Sequence, residues 1–302
     1  MTRRFKLSPL AILFAATAVS APALAAPATG PSRYFTGSDL FNLEQATDPQ
    51  ISPDGRTIAY VRKSNDIMTD KARTTIWLVD VATGQQRPLL AGSGSYFSPR
   101  WSPDGTRLAY VAAEGGNPQL YVRWMGSGES ARITGLPDSP DSIAWSPDGR
   151  RIAYSMLVPD DGPKLGSAPP KPEGAKWADP LEVIDKVTYR FDGAGYLKAG
   201  YNQIFWVPAD GGAPTQLTFG ATHAGGGQIA WTSDGRSILF SSDLSDKWQI
   251  DGFNSEIYRV SIDGGAPVAL TSRDGPDNSP AVSPDGRHVA FVGFDDRLLG
   301  YQ

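Results

Sequence analysis

The chain has 302 residues, and Gly and Pro together supply 58 of them, close to a fifth, against about 12% in ordinary proteins. Of its 32 acidic residues only six are Glu, and such an excess of Asp suits turns rather than helix interiors, which excludes a mainly helical protein. The absence of Cys excludes disulfides, thiolate metal centres and a Cys nucleophile, and with only His223 and His288 a multi-histidine metal site is excluded as well, so no cofactor or metal is expected.

At the start of the chain Arg3, Arg4 and Lys6 precede an apolar run from Leu7 to Val19. Ala23-Leu24-Ala25 then offers the small residues behind which a signal peptidase cuts. Residues 1–25 are read as a cleavable signal peptide, cut after Ala25. The apolar run of 13 residues is too short to span a bilayer. Its removal takes away three positive charges and leaves a formal charge of −7, which argues against a nucleic-acid partner. No later stretch is apolar enough to cross a membrane. The expectation is an exported protein, periplasmic or secreted, with no membrane contact after cleavage. Residues 26–50 lead toward the first repeat, with Ser38 placed as the cap of a short helical turn through Asp39–Leu43.

From residue 51 an internal repeat governs the pattern. Ile51-Ser-Pro-Asp-Gly-Arg-Thr-Ile-Ala-Tyr60 recurs as Trp101–Tyr110, Trp145–Tyr154, Trp231–Phe240 and Val282–Phe291. Ser-Pro-Asp-Gly fits the four positions of a type I turn: Ser takes a local backbone bond, Pro presets φ, Asp tolerates the bridge conformation and Gly adopts positive φ. Each turn launches a strand in which a branched or leucine residue and an aromatic (Ile58 and Tyr60, Leu108 and Tyr110, Ile152 and Tyr154, Ile238 and Phe240, Val289 and Phe291) flank a usually small residue, Ala59, Ala109, Ala153, Leu239 or Ala290. Both faces are apolar and therefore buried, one small and one bulky, as stacked sheets require.

A further strand follows in each unit, at Ile76–Val79, Leu120–Val122, Ile204–Val207 and Ile257–Val260. A short segment ending at Leu90, Thr134, Thr218 or Thr271 comes next, and then room for one inner strand before the next hairpin. Four strands per unit of about 45 residues is the β-propeller pattern. A β-sandwich would not repeat its turn chemistry so closely. The motif aspartates, Asp54, Asp104, Asp148, Asp234 and Asp285, stand 50, 44, 86 and 51 residues apart. The interval of 86 is twice 43, so a degenerate unit is placed at Asp192-Gly193. The fold class is all-β, a propeller of four-stranded blades over residues 51–302 with about six blades begun. A Pro-rich excursion over 158–180, with six prolines, leaves a blade rim as either a flexible insertion or a partner-contacting loop.

No catalytic apparatus is visible. No Ser sits in Gly-x-Ser-x-Gly; Ser32 and Ser130 have the leading Gly alone. His288 falls in a hairpin strand and His223 in a Gly-rich loop, and both are read as structural. The repeated aspartates are accounted for by their turns, no alternating Asp loop suited to calcium occurs, and Gly225–Gly227 lacks the Lys of a phosphate loop.

The repeat resembles that of TolB-type periplasmic propellers and of the propeller domain of prolyl-oligopeptidase-family serine peptidases. Trp177, Lys186–Tyr196, Gln203–Val207, Gly211-Gly212, Gln216–Gly220 and the tail Phe294–Gln302 are similar to secreted acylaminoacyl-peptidase and dipeptidyl-peptidase-like members of the second group. The resemblance runs from about Leu40 to Gln302. TolB-type proteins carry an α/β domain ahead of the propeller, for which about 26 residues between the cleavage site and Ser52 leave no room. The resemblance implies a seven-bladed propeller that gates short peptides toward a C-terminal α/β-hydrolase domain bearing Ser, Asp and His, none of which has a counterpart here. It also implies a chain cut before its ring closes. No Glu-Glu pair of the kind that binds a free amino terminus in dipeptidyl peptidases occurs. Arg190 and Asp192 are the candidate residues facing the funnel. The alternative is a non-enzymatic TolB-like periplasmic propeller that binds a protein partner.

Overall fold

The computed structural model describes residues 34–295 apart from 161, 163–165, 167–168, 179–182 and 252–253. The segment 1–25 read as a signal peptide and the tail beyond 295 lie outside the described residues. The chain divides into a leading unit, 1–39, and a main unit, 40–302. A 3-10 turn covers Gly37–Asn42. Its cap is Thr36, not Ser38: the Thr36 backbone N–H and hydroxyl donate to Asp39 Oδ2 (2.7 and 2.8 Å), and Asp39 N–H returns to the Thr36 carbonyl (3.0 Å). The Asp39 carboxylate thus takes up the Thr36 amide from three residues on, the acid half of a capping box, while the Ser38 hydroxyl is 3.0 Å from that of Thr36.

The main unit is a series of antiparallel four-stranded sheets. The first comprises β1 (Glu44–Ile51), β2 (Thr57–Asp66), β3 (Lys71–Asp80) and β4 (Gln86–Leu90), in that order. The second repeats it with β5 (Ser95–Trp101), β6 (Arg107–Ala113), β7 (Gln119–Trp124) and β8 (Ser130–Arg132). In the third, β9 (Pro140–Trp145) and β10 (Arg151–Pro159) are joined, after a small hairpin of β11 (Arg190–Phe191) and β12 (Gly195–Tyr196), by β13 (Gly200–Pro208) and β14 (Thr215–Gln216). The fourth is β15 (Ala230–Trp231), β16 (Ser237–Ser242), β17 (Glu256–Ser261) and β18 (Val268–Ala269), and β19 (Asp277–Val282) with β20 (Val289–Gly293) begins a fifth.

Among the described residues there are thus four complete blades and two strands of another, rather than six begun. The unit placed at Asp192 is not a blade. β10 and β13 pair without interruption from Arg151↔Pro208 to Pro159↔Gly200, so residues 160–199 are an insertion within one blade and the interval of 86 is a single unit. The reason is chemical. The motif needs a hydroxyl two residues before its Asp, and Arg190 stands there.

In the five true copies that hydroxyl organises the turn. Ser52, Ser102, Ser146, Thr232 and Ser283 each donate to the motif carboxylate at 2.6 Å. Each also accepts the N–H five residues on, at 2.9 to 3.0 Å. The same carboxylate accepts the N–H two residues after it, at 3.0 to 3.1 Å. Gly closes the turn at φ 73, 70, 66, 65 and 69°, where a Cβ would be strained.

Blades stack small face on bulky face. Ala59 of the first packs with Leu108 and Tyr110 of the second, and Ala109 with Ile152 and Tyr154 of the third. Ala153 packs in turn with Ile238 and Phe240 of the fourth. In the second, third and fourth blades the motif aromatic stacks on its cross-strand partner: Tyr110 on Tyr121, Tyr154 on Phe205 and Phe240 on Tyr258, with centroids 5.5, 5.5 and 5.9 Å apart. Burial with no hydroxyl partner pushes the Tyr154 phenol far up.

Candidate functional site

The first strand of each blade runs inward, and these strands wall a cleft of about 560 Å³. β1 contributes Asp48, Gln50 and Ile51, and β5 contributes Arg100 and Trp101. β9 contributes Asp141, Ser142 and Trp145, and the fourth blade Gln228 and Ile229.

Two repeated features shape these walls. The motif's leading Trp reaches back to the preceding blade: Trp101 Nε1 donates to the Gln50 carbonyl (3.1 Å), Trp145 Nε1 to Arg100 (2.9 Å) and Trp231 Nε1 to Ala144 (3.0 Å). Each acceptor is the residue just before the leading position of its own blade, so the same staple is made three times. Val282 leads the fifth blade and cannot make it.

The second feature is a bulge three residues ahead of the leading position. Asp48, Ser98, Ser142 and Ser279 take left-handed φ of 48, 52, 53 and 55°, and the pairing with the next strand slips there. A bulge raises local twist and re-aims side chains, at a cost of about 1–3 kcal/mol for a non-glycine residue held at positive φ. The fourth blade lacks it: its inner strand is only Ala230–Trp231, preceded by an irregular segment in which Gly225 (φ 74°) lies so close to Ile204 that a Cβ would collide.

The charged side chains of the cleft are Asp48, Arg100 and Asp141. Arg100 Nη1 donates to both oxygens of Asp48, at 2.9 and 2.7 Å, and to the Pro99 carbonyl at 2.7 Å, tying the first two blades together at the cleft. Gln50 Nε2 donates to the same Asp48 at 2.9 Å. Asp141 is exposed and accepts only the Ser142 N–H at 2.7 Å. Of the two lining hydroxyls, Ser102 Oγ is committed to Asp104. No lining residue is a histidine. The arrangement offers carboxylate, guanidinium, amide and indole groups along an extended slot, which suits binding.

The candidates from the sequence lie elsewhere. Arg190 opens β11 and Asp192 follows in its turn; both are exposed, on the insertion hairpin of the third blade, and neither is among the lining residues. His288 is exposed at the fifth turn. His223 is mostly buried beside Tyr201 and Trp248. The cleft residues were missed because their signal is faint: a polar residue before Pro at Asp48-Pro49, Ser98-Pro99 and Ser279-Pro280, ahead of three of the five turns.

Residues 41–156 match the TolB beta propeller domain model, and residues 188–292 match the model of the dipeptidyl peptidase IV N-terminal region. An uncharacterized peptidase, YuxL, of Bacillus subtilis is 30% identical over 222 residues, covering 71% of this chain and 32% of the relative. Dipeptidyl-peptidase 5 of Porphyromonas gingivalis is 22% identical over 296 residues, covering 94% and 42%. The chain thus spans about a third to two fifths of the length of these relatives. Among solved structures, an acylaminoacyl peptidase of Pyrococcus horikoshii superposes with a TM-score of 0.57 at 18% identity, over 78% of this chain and 33% of that one, which shows the shared propeller fold.

Proposed function

We propose a role for a chain that is the N-terminal propeller region of the prolyl oligopeptidase family, whose dipeptidyl and acylaminoacyl peptidases are its relatives: its cleft receives short peptides on their way to a serine-type catalytic domain. That domain is absent from these 302 residues, which contain no Gly-x-Ser-x-Gly. The observation that carries the reading is the cleft between the inner strands, lined by hydrogen-bonding groups and without a histidine. Asp48, Arg100, Asp141 and Gln228 would meet the peptide main chain and its charged side chains, and Trp101 its apolar ones. Arg190 and Asp192, on the insertion hairpin, remain candidates for meeting substrate outside the slot.

The first 25 residues fit export to the periplasm or beyond, and among the described residues no helix is long and apolar enough to cross a membrane. The TolB-model match over 41–156 favours a second reading, a non-enzymatic periplasmic propeller that holds a protein partner. The two are separated by titrating the purified chain with pentapeptides and following the fluorescence of Trp101 and Trp145. The peptidase reading expects a saturable change that Arg100→Ala weakens at least fivefold, with no hydrolysis of peptide p-nitroanilides by the chain itself. No change with any peptide, together with tight capture of one folded protein, would favour the second.

A further inference from the structure

Beside the fourth blade's irregular segment, four parts of the chain meet around His223. Its imidazole packs against the rings of Tyr201 (centroids 5.5 Å) and Trp248 (5.3 Å, edge-on). Its Nδ1 accepts the Asn202 backbone N–H at 3.1 Å, so the ring proton must sit on Nε2 and the ring must be neutral. The Ser242 hydroxyl donates to the His223 carbonyl, fixing the backbone as well.

The same aromatic group holds the end of the insertion. Lys186 Nζ stands 3.9 Å from the centroid of the Tyr201 ring and donates to the Gly200 carbonyl at 3.2 Å. Val187 N–H donates to Gln249 Oε1 at 3.1 Å, one residue beyond Trp248. Thus the leading end of segment 183–199 is strapped to the third and fourth blades through Lys186 and Val187, both converging on the His223 group, while its trailing end is held separately by Lys198, which donates to Asp138 at 2.9 Å.

We propose that His223 is a proton-operated latch: neutral, it accepts the Asn202 amide and lets Lys186 rest on Tyr201; protonated, it releases the Lys186–Val187 end of segment 183–199 from the blades, while Lys198 keeps the other end on Asp138. Protonation removes the only lone pair facing Asn202 N–H and leaves that amide without its acceptor. It also places a second cation around the Tyr201 ring already occupied by Lys186. The groups facing His223 are Lys186 from the insertion, the Tyr201 phenol from β13 and the Trp248 indole from the 243–251 segment. The one charge acting on the imidazole is that of Lys186, and no carboxylate among the described residues offsets it. Burial first, and Lys186 second, hold the imidazole below its ordinary 6.5. The sign follows. A base depressed in the latched state stabilises that state above its free value, and the stabilisation is lost as pH falls below 6.5 toward the depressed value. The latch is closed at neutral pH and opens under mild acid, independently of whether the cleft binds peptide.

The test is proteinase K nicking within 183–199 of the full chain between pH 7.5 and 5.5, normalised to an unstructured peptide cleaved under the same conditions. Wild type should be nicked at least fivefold faster at pH 5.5. His223→Phe, which keeps a packed ring but binds no proton, should give a flat profile. Should it not fold, His223→Gln replaces it with the same expectation. Lys186→Met should be nicked fast at both pH values. In the His288→Gln background a single imidazole remains, and its NMR titration should report protonation below 6.5 in step with nicking. A flat wild-type profile, or a His223→Phe profile as steep as wild type, overturns the latch.

Discussion

A single hydroxyl and a single carboxylate, repeated five times, organise the turns that launch the second strand of each blade. The Ser-Pro-Asp-Gly turn was legible in the sequence down to the positive φ of its Gly. The acceptor role of Asp was not, because a turn preference says nothing of which side-chain atom meets which amide. That role has a measurable consequence. The Ser146 hydroxyl first, then the Arg150 N–H, hold the Asp148 carboxyl below the usual carboxylate range. A depressed acid stabilises the fold above its unfolded value, and the contribution disappears as pH falls below 3.8 through the folded value. Asp148→Ala should therefore lower urea stability by about 1 kcal/mol at pH 7, the scale of a net hydrogen bond at a solvated site. The difference from wild type should shrink as the pH is taken below 3.8. An equal loss at pH 7 and pH 3 would show that the carboxylate is not the stabilising species.

The strands themselves were expected from the alternation of small and bulky residues, and the third strands at Ile76, Leu120, Ile204 and Ile257 lie where the pattern put them. The blade boundaries misled in one place. A chain interval of 86 residues looks like two units when only spacing is counted, whereas strand pairing makes it one blade with 160–199 inserted. The leading Trp was visible as a repeat position, but its partner, a carbonyl one blade back, is a long-range contact that no local pattern contains. The staple is the clearest energetic link between blades. Trp145→Phe keeps the ring but leaves the Arg100 carbonyl without the indole N–H and loses part of the surface over which Arg107 lies, 4.8 Å from the ring centroid. It should cost about 2 kcal/mol by urea denaturation, whereas Trp177→Phe, on an exposed ring of the insertion, should cost nothing measurable. Equal effects would mean that the staple is geometry without energy.

For the molecule as a whole, the stacking rule that joins the blades also marks where it is unfulfilled. Val289 and Phe291 are 37% and 41% exposed, whereas their counterparts Leu108 and Tyr110 are 0% and 2% exposed. Ile51 is likewise exposed on the first blade. The ring of described blades is therefore open, and a propeller sheet left uncovered is a surface that another sheet would fill. The cleft, by contrast, is already formed by the inner strands of three blades and the segment leading into the fourth, and the proposed function rests on it. The most direct test is photo-cross-linking with a pentapeptide carrying a central benzophenone, followed by mass-spectrometric mapping. The account predicts adducts concentrated on residues 48–51, 100–103, 141–145 and 228–229, and their loss when excess unlabelled peptide is added. Adducts spread over the blade rims, or confined to the insertion hairpin with the inner strands untouched, would contradict it.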